Sequence, residues 1–425
     1  MQAEIPTTPM QRFLQRIANV EPHECAAVIA AFCLFFCVLG GYFAVRPVRE
    51  TIGTLLGRER VSFLWTFTGI GALVIVPIYG WLVAKVRRTV LLPWIYGTVA
   101  VSLLLVASVL RADEGNLQVG AFFYVWISVL NLLLVSVFWS FLLELFESGQ
   151  AKRLFGFIAA GGTAGGLIGP LITDLTVERI GNSGVLVVGA AGFVAAIFFQ
   201  RMLLAIWFGQ QRSIGNNPDR AIGGNPFAGI SIVFKSPYLL AIALFVVLLS
   251  AVNTFLYFEQ LRLVEENFAN TADRTQFFAR MDYVVQTLTI LSQVVLTGWI
   301  ASRFGIRALL TVVPLVMVVG FLLLASFGTL SMLAIVFVVR RWGEYAFIRP
   351  GREMLWSKLD TETKYKAKSF IDVPVYRVAD AVGSSAKTWL ETAGLSPAGA
   401  AVLGAGLAAG WAINGLWLGR KADSK

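Results

Sequence analysis

Long apolar runs, separated by short polar stretches, follow one another along almost the whole chain. Twelve of these runs reach about the 20 residues that a helix needs to cross a bilayer. We number them span 1 to span 12; they lie at 26–46, 61–84, 89–110, 119–144, 153–176, 183–209, 237–260, 281–301, 306–328, 330–350, 368–390 and 396–418. The pattern predicts an all-α polytopic membrane protein with twelve transmembrane helices.

The longest polar break, rich in Gly, Asn and Arg, lies at 210–225 and separates span 6 from span 7. It divides the chain into two parts of six spans each. We therefore predict an N-terminal interfacial segment, a first six-helix half, a cytoplasmic linker, a second six-helix half and a cytoplasmic tail, with the bounds 1–25, 26–209, 210–236, 237–418 and 419–425.

An internal repeat relates the two halves. The string GWLVAK at 80–85 returns as GWIASR at 298–303, and Ala-Lys at 151–152 returns at 367–368, so the two offsets are nearly equal. Parallel repeats of six spans are the arrangement of major facilitator transporters. The glycine-to-basic loop after span 2 also resembles the loop signature of that superfamily. We therefore predict two pseudo-symmetric halves in a major facilitator-like fold.

Composition agrees with a membrane protein and narrows its function. Apolar residues make up 57% of the chain and charged residues only 14%, whereas soluble domains have about 25% charged residues. This balance excludes a disordered chain, a coiled coil and a soluble multidomain enzyme. Lys and Arg collect at the termini and in the even-numbered loops, which predicts that both termini are cytoplasmic. The net charge of +10 therefore reflects topology, and we expect no nucleic-acid partner.

Cysteine and histidine offer no site for chemistry. Cys25, Cys33 and Cys37 lie at or in span 1, and His23 is the only histidine. One histidine cannot form a catalytic or metal-binding set, and three cysteines on one helix do not form a disulfide framework. No Walker motif or nucleophile constellation occurs either. We therefore expect no enzyme activity, no cofactor and no metal.

Charged residues inside the apolar runs are the informative positions, because each costs at least about 2.5–3.5 kcal/mol at mid-membrane. In span 1, Arg46, Arg49 and Glu50 share one helix face. Span 10 carries a longer stripe of Arg341, Tyr345, Arg349 and Arg352, and Arg349, Arg352 and Glu353 repeat the spacing of the span 1 cluster. Span 7 adds Glu259. Span 11 carries four secondary candidates, namely Asp372, Arg377, Asp380 and Lys387.

This distribution predicts a central water-filled cavity surrounded by lipid-facing spans. Guanidinium groups bind phosphate or carboxylate oxygens in a bidentate manner, so a multiply anionic solute is the expected guest. Glu50, Glu259 and Glu353 would pair with the arginines in the empty cavity, or one of them would carry a proton. Two structural alternatives remain open: the charges reach the membrane surface from helix ends, or Arg–Glu pairs only lock helices together. In span 5, glycine at every fourth position predicts close helix packing.

Several strings resemble one transporter family. The residues from Tyr345 to Met354, the pair Leu359-Asp360 and the stretch from Lys366 to Val373 are similar to the ATP/ADP translocases of plastids and obligate intracellular bacteria. Further similarity lies in the span 1 cluster, at Phe138-Trp139, in the stretch from Glu147 to Arg153 and at Glu259. The resemblance implies nucleotide exchange, with Arg49 and Arg352 holding phosphates and Glu259 as an acidic cavity residue.

The sequence also departs from that family. Arginine replaces the family's lysine at positions 49 and 352, Arg349 stands where the family has Asp, and Tyr124 replaces an acidic residue of span 4. The chain is therefore identified as a distant bacterial member of the family. We expect a monomeric antiporter of phosphorylated nucleotides in the bacterial inner membrane, surrounded by the lipid bilayer. Two alternatives are proton-coupled transport of another organic anion, using Glu259 or Glu50, and a non-transporting scaffold or receptor.

Overall fold

The computed structural model describes residues 20–86, 88–146, 148–209, 228–359, 363, 367–368 and 370–423. Helices make up nearly all of these residues, and no strand occurs among them. Seven of the described helices are long and apolar enough to cross a membrane. The prediction of an all-α polytopic membrane protein is confirmed. Residues 1–19 of the predicted interfacial segment and residues 210–227 of the linker lie outside the described residues.

The first six spans form a nearly continuous series of helices. Spans 1 to 4 are the helices Cys25–Leu56, Arg58–Lys85, Arg88–Ala112 and Leu117–Leu145. Spans 5 and 6 lie in the helical run Ser148–Gly209, which is broken at Gly181, where φ is 68°. Because residues with a side chain rarely adopt this conformation, glycine allows the chain to turn there between two membrane crossings.

The last six spans are less regular. A short helix, Ala228–Lys235, precedes span 7, which is Pro237–Asn267. Span 8 begins at Thr271 and continues beyond Val295 into Thr297–Phe327, which is broken at Gly305 (φ 73°) before span 9. Span 10 comprises Leu330–Gly343, a π-helical turn at Glu344–Ile348, Arg349–Leu355 and a 3₁₀ turn at Trp356–Lys358; span 11 is Ile371–Val375 and Tyr376–Thr392, and span 12 is Pro397–Asp423.

Two helix boundaries differ most from the sequence prediction. The helix of span 1 continues ten residues beyond residue 46, and span 8 begins ten residues before residue 281. Hydrophobicity locates only the apolar part of a membrane helix, and both extensions carry charged side chains that face protein partners rather than lipid. Arg49, Glu50 and Asp282 therefore lie inside helices and not at their ends.

Polar residues define where several helices begin. The side chains of Asn116, Ser236, Asn270 and Thr329 each accept a hydrogen bond from a backbone N–H in the first turn of spans 4, 7, 8 and 10. Such N-caps satisfy donors that have no partner within the helix. At the other end of the chain, Asp423 accepts hydrogen bonds from the N–H groups of Ile306 and Arg307, which links the end of span 12 to the start of span 9.

The apolar core divides into two clusters. One cluster joins buried residues between positions 20 and 207, and the other joins residues between 233 and 422. Tyr257, Phe258 and Leu261 of span 7 are exceptions, because they pack in the first cluster. The end of span 7 thus reaches across to the first six spans. The domain bounds inferred from the sequence stay a prediction.

Span 1 and span 5 pack with their backbones close together. A β-carbon on Gly165 would lie 2.3 Å from the carbonyl oxygen of Phe36, and one on Gly169 would lie 2.4 Å from that of Gly40. Both distances are shorter than any real contact of a β-carbon. The glycine repeat of span 5 is therefore required for this packing, as its spacing predicted.

Polar contacts between the first six and the last six spans collect at one end of the bundle. They join the end of span 1, the start of span 2, the third loop and spans 5 and 6 to the start of span 8 and the end of span 11; the pairs are Thr51–Thr275, Thr54–Arg274, Asn182–Thr275, Asp174–Arg280, Glu114–Thr271 and Arg58–Glu391. Span 1 starts at the opposite end. These contacts therefore close the end of the bundle that lies away from both termini.

Candidate functional site

A cavity of about 520 Å³ lies between the first six and the last six spans. Its described lining comes from spans 1, 2, 4, 7, 8, 10 and 11, whereas the described residues of spans 3, 5, 6, 9 and 12 contribute no side chain to it. The cavity ends below the closed contacts of Thr51 and Arg274. Towards the termini it reaches Arg349 and Glu353, whose side chains are more than half exposed. It is therefore accessible from the side of the two termini.

The cavity walls are charged but nearly balanced. Seven arginines line it, namely Arg46, Arg49, Arg340, Arg341, Arg349, Arg352 and Arg377. Six carboxylates accompany them, namely Glu50, Asp282, Glu344, Glu353, Asp372 and Asp380. Each of these arginines lies within 4.0 Å of a carboxylate oxygen. Such pairing offsets the cost of placing ions inside a membrane protein.

A hydrogen-bonded chain occupies the closed end of the cavity. Arg49 pairs with Glu50 and donates to Ser128 at 3.0 Å. The hydroxyl of Tyr257 donates to the other oxygen of Glu50 at 2.8 Å and lies 2.6 Å from that of Tyr124. Spans 1, 4 and 7 are thus joined around a single carboxylate.

Asp282 lies between two arginines from different parts of the molecule. Its Oδ1 accepts hydrogen bonds from Arg46 of span 1, at 3.0 Å, and from Arg341 of span 10. All three side chains are largely buried, with Asp282 and Arg341 only 4% exposed. The Oδ2 atom of Asp282 has no hydrogen-bond partner among the described residues. One carboxylate oxygen therefore connects span 1 to spans 8 and 10.

The π-helical turn of span 10 brings together residues that an α-helix would separate. Glu344 accepts hydrogen bonds from Arg340 at 3.1 Å and from Arg349, five residues later, at 3.2 Å. A π turn contains more residues than an α turn, so residues five apart lie on one face. The guanidinium group of Arg349 also stacks on the ring of Tyr345, at 4.4 Å. The irregular turn thus concentrates positive charge on one cavity wall.

Spans 10 and 11 form a second paired wall. Arg352 lies 3.4 Å from Asp372, and Arg377 lies 3.6 Å from Asp380. Asp380 also accepts a hydrogen bond of 2.5 Å from Ser250 of span 7. The pairs are long enough for a stronger anionic acceptor to compete for the arginines.

Comparison with known proteins identifies the family of this scaffold. The model of the Major Facilitator Superfamily matches residues 31–348. The chain belongs to this superfamily. Its relatives include ADP,ATP carrier protein 1 of Chlamydia trachomatis serovar D and the protein of the same name of Chlamydia muridarum. Both are 24% identical over 450 aligned residues, which cover 90% of this chain and 84% of the relative. The resemblance to the ATP/ADP translocases inferred from the sequence is confirmed.

Solved structures show the same fold. The nucleoside transporter NupG superposes with a TM-score of 0.67 at 16% identity, covering 93% of this chain and 98% of that one. This likeness establishes a major facilitator fold for the chain. The family model and the two chlamydial relatives are those of transporters, so the prediction of a transporter rather than an enzyme is confirmed.

Within this superfamily scaffold, most residues singled out from the sequence meet in the cavity. Its lining includes Arg46, Arg49, Glu50, Arg341, Tyr345, Arg349, Arg352 and Glu353, together with Asp372, Arg377 and Asp380 of the secondary set. Glu353 lies at the rim, where Lys368 pairs with it at 2.5 Å. The remaining candidates, Glu259 and Lys387, lie outside the described lining.

Glu259 and Lys387 have partners of their own. Glu259 pairs with Arg262 on the same helix, at 2.5 Å. Lys387 is 1% exposed and pairs with Glu391, which also accepts from Arg58 at the closed end. Both side chains therefore form ion pairs outside the cavity lining, and the structure does not bring them together with the other candidate residues.

Several cavity residues were missed by sequence reasoning. The predicted start of span 8 at residue 281 placed Asp282 at a helix end, because the polar stretch from Thr271 hid the true start of the helix. Glu344 was missed because its contact with Arg349 depends on a π turn that the apolar pattern does not reveal. Arg340, beside the predicted Arg341, was the one recognisable signal.

Proposed function

We propose that the protein is a secondary transporter that exchanges phosphorylated nucleotides across the membrane by alternating access. Seven arginines that converge on one cavity carry this proposal. The named function of the two chlamydial relatives, ADP,ATP carriers, supports the choice of a nucleotide as the substrate.

The chemistry of the cavity suits phosphate groups. A guanidinium group offers a planar fork of N–H donors that matches two oxygens of a phosphate, and the resulting charge-assisted hydrogen bonds are about twice as strong as neutral ones. In the empty cavity the carboxylates take the place of phosphate oxygens, so no arginine is left as an isolated charge. A nucleotide binds by exchanging these carboxylates for its own oxygens.

The rest of the cavity suits a base. Its size of about 520 Å³ falls in the range of about 300–1,000 Å³ that is typical of small-molecule sites. Phe43, Trp65 and Phe278 offer flat apolar faces, and the amides of Asn131 and Asn253 offer both donors and acceptors. Inorganic phosphate would use none of these groups, which favours a nucleotide over phosphate alone.

We place the protein in the bacterial inner membrane as a monomer with both termini in the cytoplasm. The excess of Lys and Arg at the termini and in the even-numbered loops supports this orientation. The described conformation then faces inward, because the closed contacts lie on the opposite side. The halves 26–209 and 237–418 would rock about the cavity to expose it on the other side.

Uptake by proteoliposomes tests this function. Labelled ADP, ATP or phosphate is offered to vesicles that are either empty or preloaded with unlabelled nucleotide, with protein-free vesicles as the control. We expect uptake of nucleotide into preloaded vesicles only. If correctly inserted protein moves no nucleotide, the proposed substrate is wrong. Uptake of another organic anion into empty vesicles, abolished by an uncoupler, would instead support the proton-coupled alternative.

A further inference from the structure

The polar contacts between the two sets of six spans fall into two classes. Most of them, such as Arg58–Glu391 at 3.2 Å and Asp174–Arg280 at 2.9 Å, lie outside the cavity, where a bound solute cannot reach them. The others join residues that line the cavity: Arg46–Asp282 at 3.0 Å, Tyr257–Glu50 at 2.8 Å and Tyr124–Tyr257 at 2.6 Å.

Arg46–Asp282 is distinctive in the second class. Both of its residues line the cavity, and the other ion pairs between the two sets of spans among the described residues lie outside the cavity. Its arginine is 16% exposed and its aspartate 4% exposed, so water screens the attraction poorly. A solute in the cavity can therefore reach and compete for a bond that joins the two sets of spans.

We propose that Asp282 makes exchange obligatory: it holds the empty transporter closed through Arg46, and a phosphate group of the substrate releases it. This inference rests on the proposed nucleotide exchange. Because opening the closed end requires Arg46 to leave Asp282, the empty protein returns slowly to the other side, whereas the loaded protein moves readily.

The contacts around Asp282 explain why the release is easy only with substrate. When a phosphate takes Arg46, Asp282 keeps its bond to Arg341, and no buried charge is left unpaired. Without substrate, the same movement leaves Arg46 with only Glu50, at 3.9 Å, as a nearby carboxylate. Leaving a buried charge without a good partner is strongly unfavourable. The substrate thus supplies the partner that makes opening possible.

The test compares uptake into empty vesicles with uptake into preloaded vesicles, for the wild type and for Asp282→Asn. The amide keeps the shape of the side chain and removes its charge. Losing a hydrogen bond to a charged group is expected to raise the ratio of empty-vesicle to preloaded uptake about tenfold or more. The increase arises because the empty protein moves faster, while the loaded protein has already broken the bond.

Glu391→Gln is the matched control, because it weakens the Arg58–Glu391 pair outside the cavity. It loosens the closed end whether or not substrate is bound, so both uptake rates change together and their ratio stays the same. A merely structural role for Asp282 would give this same result. A folded Asp282→Asn protein that still requires preloading, or that is inert in both assays, overturns the inference.

If Asp282→Asn does not fold, Tyr257→Phe provides the test. It removes the hydroxyl that donates to Glu50, the next contact between the two sets of spans that the cavity reaches. We expect its ratio of empty-vesicle to preloaded uptake to rise as well, and an unchanged ratio overturns the inference. Absence of nucleotide exchange by the wild type would instead contradict the proposed function, so the two failures are distinguishable.

Discussion

Arg352 of span 10 and Asp372 of span 11 form an ion pair in the cavity wall, with 3.4 Å between Nη2 and Oδ1. Arg352 is the position that the family resemblance assigns to a substrate phosphate. Under the proposed function, a phosphate that binds Arg352 has to displace Asp372. The same relationship holds for the other arginines of the cavity, so the carboxylates act as internal competitors of the substrate.

Removing such a competitor should strengthen substrate binding. We expect Asp372→Asn to lower the KM for ADP about three- to tenfold. Without the carboxylate, the substrate-free protein is less stable and the phosphate no longer has to compete for Arg352. The KM is measured from initial rates of exchange in preloaded proteoliposomes. Asp372→Glu retains the charge and serves as the control. An increased KM in the asparagine variant would show that Asp372 itself contributes to binding.

Arg349 should determine how strongly the transporter distinguishes substrates by charge. It stands where the ATP/ADP translocases have an aspartate, and it lies on the exposed part of the cavity wall beside Glu344. We expect Arg349→Ala to raise the KM for ATP more than that for ADP, because the additional phosphate loses a partner. Competition between labelled ADP and unlabelled ATP measures this ratio. Equal changes for both nucleotides would indicate a role in holding Glu344 instead.

The packing of span 1 on span 5 can be tested with two glycines. Gly165→Ala places a methyl group 2.3 Å from the carbonyl oxygen of Phe36. Overpacking of this kind typically costs about 1–3 kcal/mol, so the Tm in detergent should fall. A β-carbon on Gly406 of span 12 would meet no atom within 4 Å, and alanine there should maintain or raise the Tm. A similar fall in both variants would contradict the packing argument.

The stability of the protein should depend on pH through Glu24, which immediately precedes the helix of span 1 and lies outside the membrane helices. Burial raises the pKa of Glu24. Hydrogen bonds from Gln150, the Glu21 backbone and Arg153 together lower it by more than burial raises it, so the pKa lies below the usual 4.5. The stabilisation is therefore present above the unfolded pKa and is lost as the pH falls through the folded one. Between pH 7 and pH 4, the Tm of Glu24→Gln should fall less than that of the wild type.

At pH 7, Glu24→Gln should have a lower Tm than the wild type. The neutral amide cannot form the charge-assisted hydrogen bond that Glu24 accepts from Arg153 at 3.1 Å. Parallel Tm curves for the variant and the wild type across this pH range would show that another group controls the acid sensitivity.

Much of the architecture could be inferred from the sequence because the membrane imposes a simple rule. Apolar runs near 20 residues must be helices, and charges inside them must face protein or water. This reasoning identified Arg46, Arg49 and Arg352, which all line the cavity. It proposed carboxylates such as Glu50 as partners, but it did not pair Arg46 with Asp282, because those residues are 236 positions apart in the sequence.

The misplaced residues have equally physical explanations. Glu259 is an acidic residue in an apolar run, as expected of a cavity residue, but it forms an ion pair with Arg262 one turn away on the same helix. Glu344 faces Arg349 only because the helix winds locally as a π turn, which helical periodicity of 3.6 does not predict. Local sequence therefore indicates which charges are present inside the membrane, and tertiary packing determines which of them meet.

If arginines of the cavity hold the phosphates of the substrate, removing one of them should weaken nucleotide binding. The Kd of purified protein for ADP would be measured by calorimetry for the wild type, Arg49→Ala and Arg352→Ala, with the exposed Arg420→Ala, outside the cavity, as the control. Removing one charge-assisted contact is expected to raise the Kd about tenfold or more, and Arg420→Ala should leave it unchanged. Unchanged binding in both cavity variants would show that these arginines do not hold the substrate phosphates.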